Sequence, residues 1–514
     1  MTQNERRSIP LWKRIILFIV TLFVFAIQIS LFVLMFQLNF SNQINVVIYF
    51  LLEILALVIV LHIIHKPMSA SYKLTWSILI LVLPLPFSLL YWLNHRSRKL
   101  PKRKQMKINS ALSAYHVENK VIEELDTIDS KAAKHARVIL SDTGYPAYKN
   151  TKYTFLNDGF TKFEDLIKEL KKAQKYIFIE MFIISDGYLL DELMPILMRK
   201  GQENVEIKII YDDLGSKATL KNKTIKKFTN IPNCQIVNYN PLGLNINPAF
   251  NYRDHRKIIV IDGNVAYCGG DNLADEYIHK KERFGFWRDN CGKYEGEAVA
   301  SFIAMFIKTW YMSTKEILRM HNYLADYKVF ETSGYIIPFG DGPSETKNSG
   351  YDAFLSLISS AEKTLYISTP YFVIDDTMIQ NIALAARSGV DVRILMPGIP
   401  DKKTAFYLAR YHYRDILKAG GKIYEFSKGF NHAKNIIVDG KYSFIGTINV
   451  DYRSMFLHYE CGALVLLDDE IKHMEQDFLK ACEESRPFTY KDWKNRSWWQ
   501  RLISYIAYLF SPMF

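Results

Sequence analysis

His255-Arg256-Lys257-Ile258-Ile259-Val260-Ile261-Asp262 and His432-Ala433-Lys434-Asn435-Ile436-Ile437-Val438-Asp439 are two versions of one pattern. After six intervening residues beyond each aspartate a second match begins, Gly269-Gly270-Asp271-Asn272 in one case and Gly446-Thr447-Ile448-Asn449 in the other. His, Lys, Asp, Gly and Asn recur at the same spacing. With residue usage near 5%, one such copy would arise by chance in a chain of this length roughly once in ten thousand. Two copies in register signal a duplicated half-site. Each lysine opens a short apolar run that reads as a buried strand. Its period of two points the histidine and the lysine the same way.

The duplication extends outward from the motif. Segments 176–184, 206–211, 235–239, 257–261 and 265–269 are rich in Ile, Val and Tyr and read as strands, whereas 163–174, 189–199 and 298–310 have helical spacing. The run 173–186 aligns with 361–375, and each copy continues through a helix, a glycine (Gly201, Gly389) and a Val-rich strand. The predicted fold is α/β: two duplicated α/β/α sandwich domains packed face to face, both motifs meeting at the interface, preceded by N-terminal transmembrane helices. The expected boundaries are a membrane region 1–106, a linker 107–152, a first domain 153–330, a second domain 331–490 and a tail 491–514.

Composition narrows the partners. The chain has 514 residues, a formal charge of +12 and 49% hydrophobic residues. Excess basicity favours an anionic partner, either nucleic acid or acidic lipid. The five cysteines are scattered without a CxxC, which argues against a disulfide framework or a zinc site. The apolar excess sits at the N-terminus, where two spans are expected at about 15–38 and 44–65. Arg6, Arg7, Lys13 and Arg14 precede the first span, and His65, Lys66 and Lys73 follow the second. By the positive-inside rule both flanks are cytoplasmic. Glu53, the only acid in the second span, is read as a helix-paired group without a part in the chemistry.

Segment 74–93 is apolar and long enough to cross, but Pro84 and Pro86 break its middle, and seven Lys/Arg lie between Arg96 and Lys107. A re-entrant or interfacial hairpin keeps that cluster inside and is favoured over a third crossing. In the tail, Trp499, Leu502, Ile503, Ile506, Leu509 and Phe510 share one helical face, opposite Arg501 and Ser504. This predicts an amphipathic helix in contact with the membrane. Three hydrophobic segments and such a tail weigh against nucleic acid as the partner.

The paired motif suits phosphoryl transfer. One histidine can attack phosphorus while the other protonates the leaving oxygen and later deprotonates the incoming hydroxyl. Lys257 and Lys434 can neutralise the non-bridging oxygens, and Asn272 and Asn449 can donate amide N–H groups to them. A carboxylate on each histidine's other nitrogen would fix its tautomer. No His-x-His and no acidic cluster stands beside either motif, so no metal ligand set is expected. His62 and His65 flank a span, and His412 and His458 are given no role.

These motifs identify a resemblance to the phospholipase D superfamily, whose members carry two His-x-Lys-x4-Asp (HKD) signatures. Within it the chain looks like the bacterial cardiolipin synthase family. Asn251-Tyr252-Arg253-Asp254-His255, Trp287-Arg288-Asp289, Gly429-Phe430-Asn431-His432 and Asn449-Val450-Asp451-Tyr452-Arg453-Ser454 carry the likeness, with Trp92 near the N-terminus and Trp499 near the C-terminus. Asp271 departs from it, standing where a small or apolar residue is expected. The resemblance implies a catalytic set of His255, Lys257, Asp262, His432, Lys434 and Asp439, the aspartates acting more as support than as reacting groups. It also implies that Asp289 orients His255 and that Glu460 orients His432, and it leans toward His255 as nucleophile. The implied activity joins two phosphatidylglycerols into cardiolipin and glycerol through a phosphatidyl-histidine, with no cofactor, in the cell membrane; the charge bias of the flanks puts the catalytic domains on the cytoplasmic face. A hydrolytic phospholipase D, or an HKD-type nuclease, would use the same residues.

Overall fold

The computed structural model describes residue 30 and residues 43–66, 69–94, 101–115, 120–241, 251–330, 332, 334–345 and 347–511. The first expected span, 15–38, lies outside the described residues apart from Ser30. The chain forms two units, one made of residues 1–98, 241–252 and 509–513 and the other of the rest.

In the larger unit the first half contributes strands β1 (Thr151–Leu156), β2 (Tyr176–Met181), β3 (Glu206–Asp212), β4 (Cys234–Tyr239), β5 (Lys257–Ile261), β6 (Val265–Gly269), β7 (Phe286–Arg288) and β8 (Cys291–Gly296). Seven of them form a sheet ordered β1-β8-β6-β5-β2-β3-β4, with β7 outside it. The second half supplies β9 (Tyr335–Asp341), β10 (Thr364–Ser368), β11 (Phe372–Val373), β12 (Asp391–Pro397), β13 (Lys422–Phe426), β14 (Gly429–Asn431), β15 (Asn435–Val438), β16 (Tyr442–Gly446), β17 (Val450–Asp451), β18 (Glu460–Leu466) and β19 (Ser485–Phe488). Its main sheet runs β9-β18-β16-β15-β10-β12-β13-β19. The two orders match strand for strand, with β19 added at one edge. Both sheets are mixed: β2, β3 and β4 are parallel, β5 runs antiparallel to β2 and β6 antiparallel to β5, as β15 does to β10 and β16 to β15 in the second half.

Local chemistry explains the elements. Strand β2 is buried at every residue, as a central strand covered on both faces requires. Helix Gly159–Lys172 starts at Asp158, whose carboxylate accepts the Phe160 N–H, and it buries Phe163, Leu166 and Leu170 on one stripe. The hairpins turn at Asp262-Gly263 and Asp439-Gly440, all four residues having positive φ. Asp-Gly favours such a turn because its twist matches that of the strands.

The halves meet where β6 and β8 lie against β16 and β18. Cys268 Sγ and Cys461 Sγ are 3.5 Å apart across this boundary. The segment 107–152, expected as a linker with short helices, holds helices Lys120–Ile128 and Ser130–Thr143. Its helix Ser130–Thr143 buries Ala132, Ala133, Ala136 and Ile139, and His135 Nδ1 is 2.7 Å from Ser356 Oγ in the second half.

In the smaller unit, helix Gln43–Ile64 contains the one stretch among the described residues long and apolar enough to cross a bilayer, 47–64 with mean hydropathy 2.8. Segment 74–93 is not one helix. Ala70–Val82 ends at Leu83 and Pro84–Asn94 begins again, and Trp76 meets Tyr91 edge-on at 5.4 Å, so the two helices fold back on each other. At 1.5 Å per residue each spans only about 16–20 Å, short of the ~30 Å hydrocarbon core.

Candidate active site

Both histidines stand just ahead of a strand whose interior is buried, so each is held at the sheet's end rather than on a loose loop. Pairing between the halves fixes them further. Strand β7 runs parallel to β14, and the His432 N–H donates to the Arg288 carbonyl at 2.7 Å. Asp254 bridges Tyr459, and the His255 N–H donates to the Tyr459 carbonyl at 2.8 Å. The segment leading into one half's histidine is therefore laid beside the segment carrying the other half's acid.

This crossing corrects the expected assignment of the acids. His255 Nδ1 is 2.9 Å from each carboxylate oxygen of Glu460, and His432 Nδ1 is 2.6 Å from Asp289 Oδ2. Asp289 and Glu460 both meet a histidine, as expected, but each meets the one from the opposite half. With Nδ1–H given to a carboxylate, Nε2 is the nitrogen left with a lone pair for chemistry. Glu460 is itself held by the Thr447 hydroxyl, which donates to Oε2 at 2.5 Å. At the equivalent position Gly270 has no room for a side chain, since a Cβ there would stand 2.1 Å from Asp289 Oδ1.

The lysines are buried beside their histidines. Lys257 Nζ donates to the His255 carbonyl at 2.7 Å. Lys434 Nζ donates to the His432 carbonyl and lies 2.9 Å from His432 Nδ1. The two asparagines, expected to be equivalent, are not. Asn272 is committed, its Oδ1 accepting from the Ile183 N–H and its Nδ2 donating to the Tyr277 hydroxyl at 2.5 Å. The Asn449 side chain is buried and its Oδ1 has no hydrogen-bond partner.

Burial and mutual repulsion set the charge states. His255 is pushed well below the ordinary histidine pKa, first by burial and then by Lys257 and Lys434. His432 is lowered in the same way by burial, Lys434 and Lys257. Burial brings Lys434 down to about 7, and Lys257 adds to the shift. Asp289 rises to about 6, chiefly by burial. Near neutral pH the site thus presents neutral imidazoles, an ionised Asp289 and a lysine poised near its midpoint. Two imidazoles and two lysines close enough to act on one another's charge can bind an anionic phosphodiester, attack it and shuttle one proton.

The signature aspartates are not at this point. Asp262 accepts from the backbone N–H groups of Gln174, Lys175 and Tyr176, and Asp439 from those of Glu362, Lys363 and Thr364. Each sits at the far end of β5 or β15, up to about 24 Å along the chain from its histidine at ~3.4 Å per residue. They tie the hairpin turn to the start of β2 or β10 and are removed from the catalytic set. Asp271 has a partner, Lys162, at 2.5 Å in a buried ion pair.

Four neighbours were given no role at the site by the sequence reading. Tyr277 and Trp287 pack on the His432 ring, with ring centroids 5.6 and 5.4 Å away. Thr447 holds Glu460. His458 lies against the His255 ring at 5.6 Å, with Nδ1 3.7 Å from Glu460 Oε1. Only the pairing His458-x-Glu460, two residues apart on one strand lead, hinted at the last. His255, His458 and Glu460 are also the one group among the described residues with three metal-capable donors this close together, within 4.8 Å. The chain fold supplies the acid that no sequence neighbour of His255 provides.

The chain resembles known proteins over most of its length. The family model described as cardiolipin synthase, PLD-like domain, matches residues 166–310 and 354–482. The chain is 33% identical to a cardiolipin synthase of Halalkalibacterium halodurans, over 86% of this chain and 88% of that protein. It is 34% identical to cardiolipin synthase 2 of Bacillus anthracis, over 86% and 87%. An uncharacterized protein of Streptococcus mutans is 36% identical over 88% of this chain and 99% of its own length. Among solved structures, a phosphatidylserine synthase from Haemophilus influenzae superimposes with a TM-score of 0.57 at 16% identity, covering 74% of this chain and 98% of that one. At that identity the likeness concerns the fold.

Proposed function

From the premise that the chain belongs to the cardiolipin synthase, phospholipase D-like family, we infer that it is a phosphatidyltransferase joining two phosphatidylglycerols into cardiolipin and glycerol. The observation that carries this reading is the crossed pairing of His255 with Glu460 and of His432 with Asp289, which makes one site from two copies.

His255 Nε2 attacks the phosphorus of the first lipid. The bond from phosphorus to the glycerol oxygen breaks, His432, which takes up a proton on Nε2 as the phosphodiester anion binds beside it, donates that proton to the oxygen, and glycerol leaves. The terminal hydroxyl of a second phosphatidylglycerol then gives its proton to His432 and attacks the phosphatidyl-histidine, so that the P–N bond breaks and cardiolipin departs. The assignment of roles rests on local charge. The Lys434 ammonium 2.9 Å from the His432 ring eases proton donation, whereas both oxygens of Glu460 face His255 and stabilise the cation formed on attack. Lys257, Lys434 and Asn449 are positioned to meet the non-bridging oxygens, and Asn272 acts through Tyr277.

The substrates are lipids, and the chain is built to stay near them. The helix Gln43–Ile64 is one crossing and the pair Ala70–Val82 and Pro84–Asn94 is the re-entrant hairpin, and the basic flanks put the catalytic half on the cytoplasmic side. Helix Trp498–Leu509 presents Trp498, Trp499, Leu502, Ile503 and Ile506 outward, while Ser504 and Ala507 dock on the second half, the Ser504 hydroxyl donating to the Tyr407 carbonyl at 2.9 Å. An apolar face turned outward beside Lys494 and Arg501 fits an anionic bilayer surface.

The test is incubation of the purified full-length protein with labelled phosphatidylglycerol vesicles, followed by separation of products. Cardiolipin with one glycerol per turnover is expected. Phosphatidic acid as the product would make water the acceptor, and cleavage of labelled DNA in a parallel reaction would displace the lipid reading.

A further inference from the structure

We propose that His255, His458 and Glu460 form an inhibitory site for a zinc-class divalent transition metal, one that shuts the enzyme by capturing the Nδ1 side of the nucleophile. Three donors of the type such ions select converge there. Glu460 Oε1 is 2.9 Å from His255 Nδ1 and 3.7 Å from His458 Nδ1, and one donor atom from each residue lies within 4.8 Å of the others. Donors on one tetrahedral zinc stand about 3.4 Å apart, given bonds of about 2.0–2.1 Å, so side-chain shifts of well under 1 Å bring Glu460 Oε1 into range of both rings. His458 Nδ1 is buried and makes no hydrogen bond. The transfer steps given above do not use His458.

Two histidines and one carboxylate leave a fourth position open, the donor set of many zinc sites. Lys257 and Lys434 oppose any dication here, and Glu460 is the one anion in the set. Magnesium and calcium, which need several oxygen donors, have too little to gain, whereas a borderline ion gains two imidazole bonds. The consequence for catalysis follows from the tautomer. The ion forms a bond to His255 Nδ1, the Nδ1–H bond breaks, and the neutral ring takes its single proton on Nε2 instead. No proton is lost, but Nε2 no longer has a lone pair with which to reach phosphorus. Glu460, now a ligand, no longer holds the productive tautomer.

The experiment uses the full-length enzyme, with Co2+ as a spectroscopic probe and Zn2+ as inhibitor. Wild-type protein with Co2+ should show the visible absorption of a tetrahedral nitrogen–oxygen site, displaced by Zn2+, and His458→Asn should not. This readout needs no turnover, so it stands apart from the identity of the lipid reaction. In the activity assay, buffered Zn2+ should inhibit wild type reversibly, with EDTA restoring turnover and Mg2+ having no effect. The half-inhibiting Zn2+ concentration should rise at least about tenfold in His458→Asn, each variant being compared with its own metal-free rate. Identical spectra, or identical zinc sensitivity, in the two proteins would overturn the proposal, as would a wild type that binds no Co2+. If His458→Asn does not fold, diethyl pyrocarbonate labelling of wild type decides. Zn2+ should protect both His255 and His458, and unchanged labelling at either would refute the site.

Discussion

An ammonium shut away from water beside a second ammonium holds its proton weakly, and Lys434 is in that position, with a pKa of about 7. Its ammonium form predominates below that value and its neutral amine above. Because the cation is the form that stabilises phosphate charge, kcat/KM should fall as pH rises through about 7. Lys434→Arg should retain its charge and lose that alkaline limb, which a pH–rate profile in detergent-dispersed phosphatidylglycerol would reveal; a limb at the same pH in both proteins would assign it to another group. The histidines give a second expectation. Each serves both half-reactions, so His255→Ala and His432→Ala should each lower kcat by at least about 10³-fold, and the double variant should be no worse than the poorer single one. Additive losses in steady-state turnover would mean the two act independently.

Hairpins and helix faces carry the next set of expectations. The Asp-Gly turns after β5 and β15 each hold a carboxylate that accepts three backbone N–H groups. Asp439→Ala should therefore cost about 1–3 kcal/mol of stability, read from denaturant or thermal unfolding, while the folded fraction keeps its kcat. A normal stability with lost turnover would return this residue to the catalytic set. The Asp-Gly signal was in the sequence and marks both turns, but the signature drew attention to chemistry first. At the C-terminus, helix Trp498–Leu509 turns Trp498 and Trp499 outward, 62% and 57% exposed. Trp498→Ala with Trp499→Ala should weaken sedimentation with anionic vesicles and leave turnover of detergent-dispersed substrate unchanged. Equal vesicle binding would make the helix a brace for the second half alone.

For the molecule as a whole, the charge bias fixes an expectation about sidedness. The basic cluster after the broken segment should stay with the N-terminal arginines on the cytoplasmic side. A cysteine introduced at Ser97, which lies outside the described residues, should resist a membrane-impermeant thiol reagent in intact cells and react once the membrane is opened. Labelling in intact cells, with a cytoplasmic control unlabelled, would place the chemistry on the outer leaflet. The break at Leu83 and the Trp76–Tyr91 contact favour the first outcome, since neither short helix can cross alone.

Resemblance to a known family added Asp289 and Glu460 as candidate acids to what the sequence by itself determined: the duplication, the α/β strand-and-helix pattern, the two histidines and the two lysines. These are legible because a motif at fixed spacing and a hydrophobic period are properties of neighbours along the chain. It could not say which acid meets which histidine, because that depends on β7 pairing with β14 and on Asp254 bridging Tyr459, contacts between segments far apart in the chain. Nor could it separate Asn272 from Asn449, or find Lys162 opposite Asp271 and His458 beside His255. Each of those is decided by which side chains the packed sheets bring within hydrogen-bonding or van der Waals reach, and a pseudo-symmetric sequence gives the two copies equal claims until packing makes them differ.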